Sequence, residues 1–219
     1  MPTSQRAIIV ANSNKSIQSD INTLLGPDDL LIAADGGGRH CLDAGCVPKI
    51  LIGDLDSISQ PELKELISLG TKVLKHPVRK NETDLELAIA FAINNGVEEI
   101  IILSALGGRW DHTLGNITLL ASNRFRTARI RIIDHNQEID LIRAGDTHII
   151  HGKPEDTVSL IPICDSVVGV TTSGLEYILD GNALVFGTTL SLSNALTSKQ
   201  ATITIKEGLL ICIVIRSNE

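Results

Sequence analysis

What most limits the fold of this chain is the way its apolar runs end. Residues 7–11, 30–34, 50–52 and 100–103 are short runs of aliphatic side chains without a polar interruption. Such runs read as strands buried on both faces of a parallel sheet. A polar motif follows each one: Asn12-Ser13-Asn14, Asp35-Gly36-Gly37-Gly38, Asp54-Leu55-Asp56, and Gly107-Gly108-Arg109-Trp110-Asp111-His112. A weaker run at 71–74 leads to a polar loop and then to Lys80 through Asp84. In a parallel sheet the strand C-termini share one edge, so these motifs converge on one crevice.

Helical signals separate the runs. Ile17, Ile21, Leu24 and Leu25 fall on one helix face, and a short helix after the glycines ends near Gly45. Ser59 with Glu62 three residues on, and Pro61 between them, predicts a capping box for a helix that stops at Gly70. Thr83-Asp84-Leu85-Glu86 predicts a second capping box, opening a helix that ends at Asn94-Asn95-Gly96. A further helix over 110–123 places Leu114, Ile117 and Leu120 on one face. Residues 129–133 and 138–143 read as strands.

Beyond Gly145 the pattern changes. Residues 158–163, 167–171, 177–179, 184–186, 190–192, 201–205 and 209–215 read as strands with no helices between them, and turns fall at Asp180-Gly181-Asn182 and Lys206-Glu207-Gly208. The expectation is an α/β fold. Residues 1–146 form a mostly parallel, Rossmann-like sheet with flanking helices, and residues 147–219 form an all-β sandwich.

Aromatic residues are only 2% of the chain, so its core must be aliphatic. With 26 acidic against 19 basic residues, the net charge of -7 argues against a nucleic-acid-binding surface. No apolar run reaches the length of a membrane span, and residues 1–6 do not read as a signal peptide, so a cytoplasmic protein is expected. His40, Cys41 and Cys46 lack the paired spacing of a zinc site.

The acidic motifs carry the chemistry. In an extended turn Asp54 and Asp56, two residues apart, point to the same side and can share a divalent cation. Several aspartates with Lys80 and Arg109 suit Mg²⁺ and a polyphosphate, the metal neutralising charge while the cations hold oxygens. The chain contains neither G-x-x-x-x-G-K-[ST] nor G-x-G-x-x-G, so the usual nucleotide loops do not account for this pattern. Gly36 and Gly37, directly after Asp35, can bring backbone close to a phosphate or a base.

The motifs together resemble the thiamine pyrophosphokinase family. The resemblance rests on Ala34-Asp35-Gly36-Gly37, Gly53-Asp54-Leu55-Asp56-Ser57, Thr83-Asp84 and residues 107–112. It continues through Thr171-Thr172-Ser173-Gly174-Leu175-Glu176-Tyr177 and residues 187–194. It implies a homodimer that transfers the pyrophosphoryl group of ATP to thiamine, with the active site at the subunit interface. Asp54, Asp56 and Asp84 would hold Mg²⁺. Asp35, Gly36, Gly37, Lys80, Arg109, Asp111 and His112 would complete the ATP and thiamine crevice, with Arg109 and Asp111 taking part in catalysis. Tyr177, Ser193 and Asn194 would contact thiamine. The chain departs from the family at Tyr177, often Trp, and at Ala195, often polar or acidic. Two other readings of the acidic motif are a D-x-D nucleotide-sugar transferase and a thiamine- or nucleotide-binding module without catalysis.

Overall fold

The computed structural model describes residues 6–13 and 18–217, with Gln18 and Ser19 as backbone only. Asn14, Ile17 and the first five residues, on which the leader reading mostly rests, lie outside the described residues. The chain divides into two compact units, ending and starting at His135 and Asn136.

The first unit runs β1 (Arg6–Val10), α1 (Gln18–Leu24), β2 (Leu30–Ala34), α2 (Gly37–Asp43), β3 (Ile50–Gly53), α3 (Gln60–Ser68), β4 (Lys72–Lys75), α4 (Asp84–Asn94), β5 (Glu99–Leu103), α5 (Trp110–Leu119) and β6 (Arg129–Asp134). Its strands are all parallel, in the order β6-β5-β1-β2-β3-β4. The chain builds outward from β1 to β4 and then returns to the other side of β1, so the sheet has its switch point between β1 and β5. Side chains alternate across it. Ile8, Val10, Leu31, Ala33 and Leu51 pack with Ile21 of α1, Cys41 of α2 and Leu66 of α3, while α4 lies against β1, β2 and β3. Burial from both faces explains why these strands read as unbroken apolar runs.

The capping signals are realised unequally. Ser59 and Glu62 form the full reciprocal box at the start of α3. Thr83 accepts from the Glu86 backbone N–H, but the Glu86 carboxylate turns to Arg124 at 3.3 Å instead of returning to the cap. Helix α5 corrects the expectation more strongly. Leu120 is buried, but Leu114 is 60% exposed, and the helix buries Thr113 instead. Three apolar residues at helical spacing do not define a core face here.

The second unit contains β7 (Gln137–Arg143), β8 (Thr147–His151), β9 (Thr157–Pro162), β10 (Ser166–Ser173), β11 (Asn182–Val185), β12 (Asn194–Ala195), β13 (Gln200–Thr204) and β14 (Leu209–Ile215). Two antiparallel layers, β12-β9-β14-β7 and β11-β10-β13-β8, enclose an aliphatic core that includes Ile142, Leu160, Val170, Leu184, Ile203 and Leu210. Strand β7 pairs with β14 along its whole length, which draws residues 137–143 into the sandwich and puts the division ahead of the expected residue 146. Residues 177–179 and 190–192, expected as strands, are irregular and turn segments. Tyr177, Ile178 and Leu190 there are 67%, 67% and 70% exposed, so their apolar character does not reflect ladder pairing. Strand β8, not expected, carries Thr147, His148 and His151, whose polarity hides it in the sequence.

Candidate active site

The site grows from the C-terminal edge of the first sheet. Asp35 follows β2, Asp54 follows β3, and Asp84 opens α4. One carboxylate oxygen from each lies within 4.8 Å of the others, the one group of three potential metal ligands among the described residues. Gly53 makes this approach possible. A Cβ there would stand 3.0 Å from Asp35 Cβ and 3.2 Å from Asp84 Cγ, at a φ of +155°. Asp35 itself takes a φ of +46° and is held by its N–H to the Ile52 carbonyl at 2.8 Å.

Asp35 Oδ1 and Asp84 Oδ1 are buried oxygens that accept no hydrogen bond among the described residues. An unsatisfied buried acceptor costs about 1–3 kcal/mol, and of these two oxygens Asp84 Oδ1 has the Lys80 ammonium 3.0 Å away. A divalent cation would satisfy both, and the all-oxygen donor set is the kind that hard cations such as Mg²⁺ take. The site fits such an ion.

Lys80 supplies positive charge to this group. Its Nζ donates to Asp54 Oδ2 at 3.0 Å and to the Pro77 carbonyl at 3.3 Å. It also lies 3.0 Å from Asp84 Oδ1, as an ion pair angled away from a hydrogen bond. The hydrogen bond from Lys80 holds the Asp54 carboxyl below its ordinary pKa. Burial pushes Asp84 up, with the charges of Asp54 and Asp35 adding and Lys80 opposing.

Asp56 has a different place. Leu55 adopts a φ of +68°, so the turn is not extended and the two carboxylates do not follow strand alternation. Asp54 Oδ1 accepts from the Asp56 N–H at 3.3 Å, and the exposed Asp56 carboxylate accepts from Ser57 Oγ at 2.9 Å. Asp56 lines the cleft outside the three-carboxylate group.

The cleft has a volume of about 580 Å³, and the three aspartates, Asp56, Lys80, Arg109 and His112 line it. Gly36 and Gly37 lie behind it, buried. A Cβ on Gly36 would strike the Asn12 side chain at 2.4 Å, and one on Gly37 the Val10 carbonyl at 2.0 Å. These glycines let α2 press on the end of β1. Arg109 and Asp111 are exposed and paired to each other, with Arg109 Nε donating at 3.1 Å and its second nitrogen closing the fork. That pairing pulls the Asp111 carboxyl down to about 2.

Two polar residues at the switch point, Ser104 and Asn116, line the cleft without having been singled out in the sequence, and Ser13 of the Asn12-Ser13-Asn14 motif lines it with them. The Ser13 and Ser104 hydroxyls meet at 2.8 Å, tying the ends of β1 and β5. Asn116 donates to the Ala105 carbonyl at 2.8 Å. Ser104 obeys the rule that exposed the other motifs, since it directly follows an apolar run. His40 Nε2 donates to the Ser13 carbonyl at 2.7 Å, and Cys41 is packed in the core.

In the second unit, Tyr177 is exposed, Ser193 has a φ of +56°, and Asn194 is buried. Ser193 N–H donates to Ser159 Oγ at 3.0 Å.

Comparison with known proteins adds an independent line. Residues 21–132 match the family model described as thiamin pyrophosphokinase, catalytic domain, and residues 147–210 match thiamin pyrophosphokinase, vitamin B1 binding domain. The chain is 32% identical over 205 residues to a thiamine pyrophosphokinase of Bacillus subtilis, covering 94% of this chain and 96% of that protein. It is 34% identical over 213 residues to thiamine pyrophosphokinase 1 of Oryza sativa subsp. japonica, covering 86% and 80%. The crystal structure of the Bacillus subtilis enzyme superposes with a TM-score of 0.86 at 30% identity, covering 97% of this chain and 100% of that one. A Geobacillus thermodenitrificans thiamin pyrophosphokinase structure gives 0.84 at 27% identity, covering 98% and 99%.

Proposed function

Because the chain belongs to the thiamine pyrophosphokinase family, an enzyme transferring the pyrophosphoryl group of ATP to thiamine, we propose that its chemistry is performed at the Asp35–Asp54–Asp84 cleft with Mg²⁺. The nucleotide-sugar and non-catalytic readings find no support among the relatives. The observation that supports the assignment is the three-carboxylate group itself, in which Asp35 Oδ1 is buried without a hydrogen bond and Asp54 and Asp84 both face the Lys80 ammonium.

Asp54 and Asp84, with Asp35 beside them and Asp56 at the rim, would hold the ion. When bound, Mg²⁺ would neutralise polyphosphate charge and make the β-phosphorus more electrophilic. The hydroxyethyl oxygen of thiamine attacks that phosphorus, the bond to the α-phosphate oxygen breaks, and AMP leaves. Lys80 and Arg109 hold phosphate oxygens while the charge redistributes, which is where positioned cations lower the barrier. An aspartate of the group takes the hydroxyl proton. Asp111 keeps Arg109 at the mouth, and His112 on the same helix start contacts the nucleotide.

The second unit would act as the thiamine-binding and dimerisation domain. Its exposed Tyr177, Ile178, Phe186 and Leu190 provide apolar surface, and Tyr177 offers a flat face to a cationic heterocycle. In this reading the protein is a homodimer in which the β unit of one subunit completes the cleft of the other. A cytoplasmic location is part of the same proposal; among the described residues no helix is long and apolar enough to cross a membrane.

Incubation with ATP, Mg²⁺ and thiamine should yield AMP and thiamine diphosphate in equal amounts. The reaction should stop when the metal is chelated and return when Mg²⁺ is restored. Turnover insensitive to chelation would refute the metal assignment.

A further inference from the structure

The carboxylates of the cleft are met by a cation of the chain's own. Lys80 Nζ stands 3.0 Å from Asp54 Oδ2 and 3.0 Å from Asp84 Oδ1, and its side chain is only 12% exposed. Its third contact, the Pro77 carbonyl at 3.3 Å, belongs to its own loop. Residues 76–83 contain no helix or strand, so the ammonium is placed by the two carboxylates more than by a rigid backbone. A lysine stem has the rotamer freedom to leave and the charge to be useful elsewhere.

A divalent cation seated in this group draws on carboxylates that Lys80 now contacts, and two positive centres on the same carboxylates repel strongly at such distances. We infer that Lys80 is a resident counter-ion of the aspartate group, displaced when a divalent cation enters and then free to grip the polyphosphate. The inference rests on the reading of the group as a divalent-cation site.

Two consequences separate this from a lysine that only binds phosphate. A metal arriving alone must break the Lys80 contacts without compensation, so Lys80 weakens metal binding to the free protein. When a polyphosphate is present, its oxygens take up the displaced ammonium, so metal and nucleotide assist each other. Such coupling is reciprocal by thermodynamic necessity.

The test is binding of Mn²⁺ to the full chain without nucleotide, read by electron paramagnetic resonance. Lys80→Met keeps the apolar stem and removes the charge, and should tighten Mn²⁺ binding at least about fivefold. Lys80→Arg keeps the charge and should not tighten it. Equal or weaker binding by Lys80→Met, or equal tightening by Lys80→Arg, overturns the displacement while leaving the metal site standing. No Mn²⁺ binding by the wild-type chain or either variant overturns both. A measurement on the unmodified protein guards against a variant that fails to fold. Acetic anhydride labelling followed by mass spectrometry should show Lys80 reacting at least about threefold faster with Mg²⁺ than without, the other lysines serving as reference. An unchanged Lys80 rate overturns the displacement.

Discussion

Asn194 and Tyr177 are locked together by two hydrogen bonds that run between the amide of one and the main chain of the other. Asn194 Oδ1 accepts from the Tyr177 N–H at 3.0 Å, and Asn194 Nδ2 donates to the Tyr177 carbonyl at 2.7 Å. The same oxygen also accepts from the Ala195 N–H at 2.9 Å. The buried amide is thus committed to backbone, while the Tyr177 ring it supports is 67% exposed. Asn194 fixes the turn and Tyr177 presents the surface.

Asn194→Ala should therefore act on both stability and thiamine. Losing three part-buried hydrogen bonds and stranding their main-chain partners should cost about 1–3 kcal/mol in urea unfolding. The KM for thiamine should rise several-fold and that for ATP should not move. Tyr177→Ala should share the thiamine effect without the stability cost. A parallel rise in both KM values for Asn194→Ala would show a general loosening instead.

Asp54→Asn keeps the shape of the side chain and loses the charge that faces Lys80 and that would hold the proposed ion. Turnover should fall at least about a hundredfold, equivalent to about 2.7 kcal/mol, with an unchanged circular dichroism spectrum. If the site spans two subunits, mixing Asp54→Asn with Tyr177→Ala protein should restore activity, because one of the two clefts in a heterodimer is intact. Demonstrated subunit exchange without activity above the sum of the parents would exclude a shared site.

Arg109 has a clean separation of roles. It is exposed and paired only locally with Asp111, the kind of ion pair that adds little to stability. Arg109→Ala should leave the melting temperature nearly unchanged while lowering kcat/KM at least about thirtyfold. An unaltered kcat/KM would confine Arg109 to the surface.

Acid should loosen the first unit through Asp29. Burial raises this carboxyl, but Arg6, bonded at 2.8 and 2.7 Å, and the Gly26 N–H at 2.7 Å outweigh it and set the folded value below the ordinary one. A depressed carboxyl contributes stability above its unfolded pKa, and that contribution disappears as pH falls through the folded value. Asp29→Asn should cost about 1 kcal/mol at pH 7, with Arg6 partly screened by solvent, and the difference from wild type should vanish in strong acid. A difference that persists undiminished at pH 2 would show that packing, not charge, is responsible.

Strand-end chemistry was legible because β1, β2, β3 and β5 are buried from their second residue on and carry no polar side chain from there until each strand stops. Asp35 as a third member of the carboxylate group was not, because only the pairing of β2 with β3 brings it beside Asp54. The left-handed Leu55 was equally hidden, since its side chain gives no sign of a conformation that glycine or asparagine usually announces. Gly36 and Gly37 have a steric use that composition cannot distinguish from phosphate contact. In the second unit, exposed Tyr177 and Leu190 imitate strand residues because an apolar side chain at the surface reads in sequence like one in a core.

Strand β4 closes one side of the first sheet with four residues, Lys72-Val73-Leu74-Lys75, whose two lysines are exposed. An open strand edge invites the backbone of another molecule, and a short edge with a charge at each end turns it away. This guards the nascent chain as much as the finished enzyme, because a parallel sheet assembles slowly and its edges stay open longest. Copies of the protein thus have little prospect of growing into a continuous ribbon through β4. Replacing both lysines by valine would remove that protection at no cost to the cleft, and the expected result is loss of material into aggregates during refolding with normal specific activity in what remains.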